Sequence, residues 1–211
     1  MTVARGRFIS VEGIEGVGKS SNIEVLVATI EAAGLTVETT REPGGTPLAE
    51  DIRHILMHRG DEPIPEIAEL LLMFAARSLN VSNNIRPALE AGTWIVCDRF
   101  TDSSRAYQGA GRGLPMETVD QLADWVHGDI WPDLTILLDA PVEVGMSRAG
   151  NRSDPDRIEK EEHDFFERVR DGYLEQARRE PKRFAVIDTT RELAAVQADV
   201  VALAQQLIND K

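Results

Sequence analysis

The stretch Gly13-Ile14-Glu15-Gly16-Val17-Gly18-Lys19-Ser20 matches the phosphate-binding pattern G-x-x-x-x-G-K-[ST] at every fixed position. An apolar segment, 8–11, precedes it, and an amphipathic helical pattern over 23–30 follows it. A strand, a glycine-rich turn and a helix in this order aim unpaired backbone N–H groups at a bound anion. The stretch therefore predicts a nucleoside triphosphate site in which Lys19 reaches the phosphates and the Ser20 hydroxyl binds Mg²⁺.

The composition indicates an ordinary globular chain with an excess of acidic residues. Its 211 residues favour one α/β domain with a sizeable core. The chain carries 36 Asp and Glu against 23 Lys and Arg, which gives a net charge of −13. This charge argues against polymeric nucleic acid as a partner, because binding to a phosphate backbone is electrostatic. Any phosphate must therefore meet a local basic pocket.

The single cysteine, Cys97, rules out an intrachain disulfide and the usual zinc sites, and suits a reducing compartment. Its apolar neighbours Ile95 and Val96 predict a buried strand thiol rather than a nucleophile. No apolar run approaches the roughly 18 residues of a membrane span, and the N-terminus lacks the pattern of a signal peptide. We expect a cytoplasmic protein without a membrane partner.

Strand-like and helical patterns alternate along the chain. Apolar segments rich in β-branched residues predict five strands, at 8–11, 35–40, 93–97, 134–139 and 184–188. Helical patterns follow the first strand and cover 48–58, 66–90, 116–126 and 193–207, and another begins beyond Pro141. This alternation predicts an α/β fold whose parallel sheet is covered on both faces.

Polar and charged residues follow several predicted strands, where open α/β sheets bind their ligands. The segment Arg41-Glu42-Pro43-Gly44-Gly45-Thr46-Pro47 stops any helix or strand and predicts a ligand-binding loop. Asp98 and Arg99 end the third strand and are expected to lie beside the phosphate loop. Residues 101–113 are polar, glycine-rich and too long for a simple turn, which predicts a functional loop.

Several arginines occur at positions where a folded protein would have to give them an anionic or carbonyl partner. Arg77 ends the apolar helical run 70–76, so it requires an anionic or carbonyl partner. Arg148 and Arg152 lie four residues apart on one predicted helix face, and Arg157 follows shortly after. In a chain of net charge −13, this local reversal of sign predicts a mobile basic loop that clamps an anion.

The remaining motifs discriminate among classes of triphosphate-binding protein. The chain contains neither N-K-x-D nor D-x-x-G, which argues against a GTPase. Its strand ends, Asp98-Arg99 and Asp139-Ala140, lack the paired acidic residues typical of a motor or ring ATPase. Arginines at a strand end, on a helix and in a late segment indicate two phosphorylated ligands bound face to face. The predicted reaction is phosphoryl transfer between nucleotides.

The chain resembles bacterial-type thymidylate kinases over nearly its whole length. The matching segments are EGIEGVGKS at 12–20, REPGGT at 41–46, Phe74 with Arg77, DRF at 98–100, AYQG at 106–109 and DRIE at 156–159. The resemblance implies a three-layer fold of the P-loop NTPase type, one kinase domain over 1–211, a lid at about 146–158 and a homodimer. It also implies transfer of the γ-phosphoryl group of ATP to dTMP, with Mg²⁺, giving ADP and dTDP.

The resemblance assigns roles to residues of this sequence. The ATP-binding residues would be Gly13, Ile14, Glu15, Gly16, Val17, Gly18, Lys19, Ser20 and Ser21. The dTMP-binding residues would be Glu15, Glu42, Pro43, Arg53, Phe74, Arg77, Arg99, Ser104, Tyr107 and Gln108. Among these, Arg99 and Arg53 would hold the phosphate, and Tyr107 would crowd the 2′ position. The base would be read by Arg77, Ser104 and Gln108.

The resemblance also implies the catalytic and metal-binding groups. Lys19, Arg99 and Asp98 would act at the phosphates, and Asp98 would join Ser20 at the metal. Gly16 supplies no arginine from the loop, so the catalytic lid arginine is expected to be Arg152 or Arg148.

The aromatic position against the base departs from the family pattern. Relatives often place a Phe four residues before the base-reading Arg. Here Phe74 lies three before Arg77, and Met73 takes the fourth place. Either side chain could lie against thymine, and we expect Phe74.

Two alternatives of different kinds remain at this point. One is a deoxynucleoside kinase or another nucleoside monophosphate kinase of the same fold, against which the segment 41–46 argues. The other is a regulatory protein that keeps the phosphate loop and binds nucleotide without turnover. Acceptor preference and ADP release discriminate between them.

Overall fold

Five parallel strands form one sheet at the centre of the molecule. The computed structural model describes residues 5–58, 62–149, 156–159 and 161–210. Within these ranges the strands are β1 Phe8–Glu12, β2 Val37–Arg41, β3 Trp94–Asp98, β4 Leu134–Asp139 and β5 Phe184–Asp188. Their order is β2-β3-β1-β4-β5, and every pairing is parallel. The predicted five-stranded parallel sheet is confirmed.

Helices connect the strands and cover the sheet. They are α1 Lys19–Ala32, α2 Pro47–His58, α3 Glu66–Asn80, α4 Arg86–Glu90, α5 Thr101–Ser104, α6 Met116–Val126, α7 Val142–Ala149, α8 His163–Arg179 and α9 Leu193–Asn209. None of the helices in the described ranges is long and apolar enough to cross a membrane.

Two of the three apolar cores among the described residues meet β3 from opposite faces of the sheet. Successive strand residues point to opposite faces, so in β3 alternate positions fill different cores. In β3, Trp94 and Val96 belong to the larger core, whereas Ile95 and Cys97 belong to the smaller one. The sheet is therefore buried on both sides, as predicted for an all-parallel sheet.

The long helical segment predicted over 66–90 is present with one irregularity. A π-helical turn, Val81–Ile85, joins α3 to α4, so the backbone stays helical but its hydrogen-bonding pattern widens. Asn80, at the end of α3, faces the loop after β2 and donates to Glu42 at 3.2 Å.

The prediction of a loop over 101–113 is wrong. The segment is helical, with α5 followed by a π-helical turn, Arg105–Gly111. Gly111 permits close packing of this segment against α8, because a Cβ at Gly111 would lie 2.7 Å from the Phe165 ring. Gly172 does the same from α8, where a Cβ would lie 2.7 Å from Ala110. These glycines serve helix contact rather than loop freedom.

Candidate active site

The phosphate loop runs from β1 into α1, as the motif predicts. Gly13, Gly16 and Gly18 all have positive φ angles, of 134°, 76° and 90°, which glycine adopts without a Cβ penalty. Lys19 Nζ donates to the carbonyl oxygens of Gly13 at 3.2 Å and Ile14 at 3.0 Å. Burial, helped by the nearby Arg99 guanidinium, lowers the pKa of Lys19 to about 8. The ammonium group is thus held directly over the loop.

Arg99 links the phosphate loop to the neighbouring helices. Its backbone adopts the left-handed region, with φ of 70°, which is strained for a residue with a side chain. The guanidinium donates to the carbonyl of Gly13 at 2.9 Å, to Glu15 Oε1 at 2.8 Å and to the Tyr173 hydroxyl at 3.1 Å. The strained backbone and three fixed contacts place this cation at one point beside the loop.

A buried carboxylate, Glu12, hydrogen-bonds to residues that surround Arg99. Glu12 Oε1 accepts the backbone N–H of Phe100 at 2.7 Å. Its Oε2 accepts the hydroxyls of Ser103 at 2.6 Å and Tyr173 at 3.0 Å. Burial raises the pKa of Glu12 to about 7. These bonds fix the backbone on the C-terminal side of Arg99 and two of its side-chain partners, Ser103 and Tyr173.

A cleft opens beside the loop and gathers the predicted acceptor residues. All of those residues except Phe74 line it: Glu15, Glu42, Pro43, Arg53, Arg77, Arg99, Ser104, Tyr107 and Gln108. Further lining residues, which the sequence analysis did not assign, are Met57, Met73, Phe100, Ser103, Asp156 and Ile158. We call this space the acceptor cleft.

Arg77 forms a buried ion pair in the wall of the acceptor cleft. Its Nε donates to Glu42 Oε2 at 2.6 Å, and its Nη2 donates to the carbonyl of Phe100 at 3.2 Å. The predicted anionic and carbonyl partners are therefore both present. Arg77 Nη1 is buried and has no hydrogen-bond partner in the described part of the chain. A ligand in the cleft could accept from this nitrogen.

Phe74, which we expected to face the base, is not among the residues that line the acceptor cleft. Phe74 packs in a separate cluster with Leu70 and Val119, under the Arg77 guanidinium at 4.5 Å. Consecutive helical residues point about 100° apart, so Met73 and Phe74 face different surroundings. Met73 lines the cleft instead.

Tyr107 and Arg53 occupy other walls of the cleft. The Tyr107 hydroxyl donates to both carboxylate oxygens of Glu15, at 2.9 Å and 2.7 Å. The Arg99 guanidinium lies 4.9 Å from the Tyr107 ring centre. Arg53, on α2, donates to the carbonyl of Pro43 at 3.0 Å, and burial lowers its pKa. A phosphate in this cleft would meet cations from two sides.

A second cavity lies at the C-terminal ends of β2 and β3. It is lined by Ser20 and Asp98 together with Thr40 and Arg41. Asp98 Oδ1 is buried and accepts no hydrogen bond from the described residues. Ser20 is exposed and is the second residue of α1. A hydroxyl and an unpaired carboxylate oxygen thus share this cavity.

Two of the three arginines of the predicted basic loop, Arg148 and Arg157, lie in the described residues, and both have partners within the protein. Arg148 lies on α7 and donates to the carbonyl of Thr189 at 3.1 Å. It lines a third cavity with Gly18 and Arg191, not the acceptor cleft. Arg157 donates to the carbonyl of Leu56 at 2.8 Å and to Glu69 Oε2 at 2.5 Å.

The other predicted lid arginine, Arg152, lies outside the described residues. Of the lid expected over 146–158, the structure describes residues 146–149 and 156–158.

Some site residues were missed although the sequence carries a signal for them. Tyr173 lies on α8, whose buried positions Phe165, Phe166, Val169 and Tyr173 follow a helical period. Glu12 is a carboxylate at the end of an apolar strand, a placement that already requires a polar partner. Cys97 is buried as predicted, and its Sγ donates to the carbonyl of Arg99 at 2.9 Å.

Known proteins share this sequence and architecture. Residues 11–200 match the family model described as thymidylate kinase. A thymidylate kinase from Methylococcus capsulatus is 53% identical over 203 residues, which cover 96% of this chain and 97% of that protein. One from Methylobacillus flagellatus is 48% identical over 202 residues, or 96% and 98% of the two chains.

A solved structure agrees with the sequence relatives. The crystal structure of thymidylate kinase from Ehrlichia chaffeensis superimposes with a TM-score of 0.76 at 32% identity. The match covers 94% of this chain and 98% of that one. The strand order, the phosphate loop and the acceptor cleft therefore occur in a chain that belongs to the thymidylate kinase family.

Proposed function

We propose that this protein is a phosphotransferase that transfers the γ-phosphoryl group of ATP to dTMP. The observation that carries the proposal is the position of Arg99, which contacts Gly13 of the phosphate loop and also lines the acceptor cleft. A cation shared by both sites suits a reaction in which two phosphates must approach each other. Such catalysis consists mainly of positioning and of neutralising the charge on the moving group.

The acceptor cleft matches the parts of dTMP. Arg99 and Arg53 would hold its phosphate, because both guanidiniums line the same space. The buried Nη1 of Arg77 would donate to a thymine carbonyl, with Ser104 and Gln108 completing the edge. Met73 takes the position against the base. Tyr107, tied to Glu15, would leave no room for a 2′-hydroxyl.

The phosphate loop would hold ATP. Lys19 would exchange its two loop carbonyls for the phosphates, whose charge favours its protonated form. Arg148 lines the cavity beside Gly18, away from the acceptor cleft, so it would contact ATP on that side. Of the two lid candidates for the catalytic arginine, this leaves Arg152.

The donor set beside the loop fits Mg²⁺. Ser20 and Asp98 offer hard oxygen ligands in one cavity, and the buried Asp98 Oδ1 lacks a hydrogen bond from the described residues. Mg²⁺ commonly binds one or two protein oxygens and fills its other positions with water and phosphate. When bound, the ion would neutralise phosphate charge. Ser20 and Asp98 would hold it in the cavity that they share.

A homodimer is the proposed assembly. Ile67 and Leu71 lie one turn apart on α3 and are 47% and 51% exposed, and α3 contacts both α2 and α6. Leu48 on α2 and Trp125 on α6 are also exposed, at 58% and 80%. Large apolar side chains on neighbouring helices support a self-association surface. Analytical ultracentrifugation of the wild type and Trp125→Glu tests this, with a shift toward monomer expected in the variant.

We also propose that the chain forms one kinase domain over 1–211 and that it acts in the cytoplasm. Its buried, unpaired Cys97 suits a reducing compartment.

A coupled ADP-release assay with dTMP, dUMP, dGMP and thymidine as acceptors tests the proposed reaction. We expect dTMP to give the highest kcat/KM. Preferential phosphorylation of thymidine would identify a deoxynucleoside kinase instead. ATP binding without acceptor-dependent ADP release would identify a nucleotide-binding regulatory protein.

A further inference from the structure

We propose that Glu69 is a positioning residue that fixes the side-chain amide of Gln108 for base recognition. Glu69 lies on α3, is 1% exposed and is not part of the acceptor cleft wall. Gln108 does line the cleft, and its Nε2 donates to Glu69 Oε1 at 2.9 Å. The inference rests on the proposed function, because it concerns how the cleft reads a nucleotide base.

The chemistry of a carboxylate decides which way the Gln108 amide points. An ionised carboxylate only accepts hydrogen bonds, so it requires the NH₂ end of the amide and repels the carbonyl end. Burial alone would raise the pKa of Glu69, but the hydrogen bond from Gln108 and the guanidiniums of Arg112 and Arg157 hold it below its usual value. Glu69 therefore stays ionised and keeps one amide orientation.

That orientation leaves the Gln108 carbonyl oxygen for a ligand. None of the described hydrogen bonds goes to Gln108 Oε1. An acceptor at this position suits the N3–H of thymine, which is flanked by two carbonyl groups. Cytosine presents a lone pair at N3 and an amino group in place of O4. A fixed Gln108 together with the donor Arg77 Nη1 would favour thymine over cytosine.

Glu69 also holds a second wall of the cleft. Its Oε2 accepts from Arg157 Nη2 at 2.5 Å and from Arg112 Nη2 at 3.2 Å. Arg157 lies between Asp156 and Ile158, both of which line the cleft. One buried carboxylate thus joins the base-reading helix segment to the chain segment that closes the other side.

A double-mutant cycle on Glu69 and Gln108 tests the proposal. Glu69→Gln keeps the size of the side chain, but the new amide can hydrogen-bond to either the NH₂ or the carbonyl end of Gln108. We expect the KM for dTMP to rise about tenfold, with kcat changed by less than about threefold, as for a lost hydrogen bond to a charged group. The preference for dTMP over dCMP, measured as the ratio of kcat/KM values, should fall about tenfold.

In a Gln108→Ala background, Glu69→Gln should raise the dTMP KM by no more than about threefold, because the amide that it positions is absent and only its contact with Arg157 is weakened. Effects that add in the double variant would overturn the proposal and leave Glu69 a purely structural residue. If Glu69→Gln does not fold, Glu69→Asp replaces it in the same cycle, since it keeps the charge but shortens the reach to Gln108.

Glu161→Gln is the matched control. Glu161 pairs with Arg112 at 2.6 Å, whereas Gln108 Nε2 bonds to Glu69, and the substitution removes the same charge. We expect its dTMP KM to stay within about twofold of the wild-type value, because Gln108 keeps its partner. A rise equal to that of Glu69→Gln would contradict the proposal. Failure of wild-type protein to phosphorylate dTMP would refute the proposed function instead.

Discussion

The carbonyl oxygen of Gly145 on α7 lies against the phosphate loop so closely that a Cβ built on Gly16 would stand 1.9 Å from it. Gly145 is equally constrained, since its own Cβ would lie 2.6 Å from the carbonyl oxygen of Glu15. Two glycines therefore allow the loop and α7 to touch backbone to backbone. No arginine side chain fits at Gly16, which agrees with the expectation that the loop itself supplies none.

Replacing Gly16 with alanine should weaken ATP binding and destabilise the protein. The substitution strains a φ of 76° and forces the loop and α7 apart. We expect a lower melting temperature and an ATP KM at least about tenfold higher, because the backbone N–H groups of the loop no longer converge on the phosphates. Thermal unfolding and initial-rate kinetics measure the two effects.

Gly34→Ala separates backbone strain from contact. Gly34 has a similar φ of 79°, but a Cβ there meets no atom of the described residues within 4 Å. The control should lose only the roughly 1–2 kcal/mol that a left-handed residue costs, and its ATP KM should not move. Equal effects of the two substitutions would show that the α7 contact is unimportant.

Arg99→Ala should raise the dTMP KM by about 10- to 100-fold, because charged hydrogen bonds to a phosphate contribute about 1.5–3 kcal/mol each. The structural reason is that the Arg99 guanidinium lines the acceptor cleft while held by Gly13 and Glu15. Steady-state kinetics with dTMP varied at saturating ATP measure the change.

Arg99→Gly controls for the strained backbone at this position. Glycine adopts a φ of 70° freely, so this variant should be more stable than Arg99→Ala by roughly 1 kcal/mol. Both variants should show the same rise in dTMP KM. A normal KM in Arg99→Gly would mean that the backbone, and not the guanidinium, determines dTMP binding.

Most of the architecture could be predicted from the periodicity of apolar residues and from the phosphate-loop motif. The strands, their parallel pairing and the placement of Arg99 beside the loop follow from an alternating pattern and from polar residues at strand ends. The helical structure of 101–113 was not predicted, because its glycines indicate a loop when only local sequence is considered. Their reason is long-range, since Gly111 meets Phe165 of α8.

Side-chain facing was harder to predict than secondary structure. Met73 and Phe74 are adjacent apolar residues of one buried helix, and only the packing partners decide which one faces the cleft. Arg157 is similar, because its charge suggested a clamp for an anionic ligand. The carboxylate it meets is Glu69, which lies 88 positions away in sequence.

Met73→Ala and Phe74→Leu should affect different properties. Met73 lines the acceptor cleft, so its truncation should raise the dTMP KM about fivefold, as expected for the loss of roughly 1 kcal/mol of apolar contact. Phe74 packs with Leu70 and Val119, so Phe74→Leu should lower the melting temperature and leave the dTMP KM near wild type. The opposite pattern would restore Phe74 as the base contact.

Glu12→Gln should alter the pH dependence of stability. Burial raises the pKa of Glu12 from its ordinary 4.5 to about 7 in the folded protein. Between these two values the folded state binds a proton that the unfolded state does not, so wild-type stability falls as pH rises. The variant lacks this group, and it should gain on the order of 1–3 kcal/mol relative to the wild type between pH 5 and pH 8.

Urea unfolding at several pH values measures this difference. Glu175→Gln is the control, because hydrogen bonds from Arg178 and Arg179 lower the pKa of Glu175 instead. Its contribution is complete above the ordinary pKa and is lost only as the pH falls below that range, so its difference from wild type should stay constant from pH 5.5 to 8. A constant difference for Glu12→Gln as well would show that Glu12 is not destabilised by burial. The support it gives to Phe100, Ser103 and Tyr173 would then carry no energetic penalty at neutral pH.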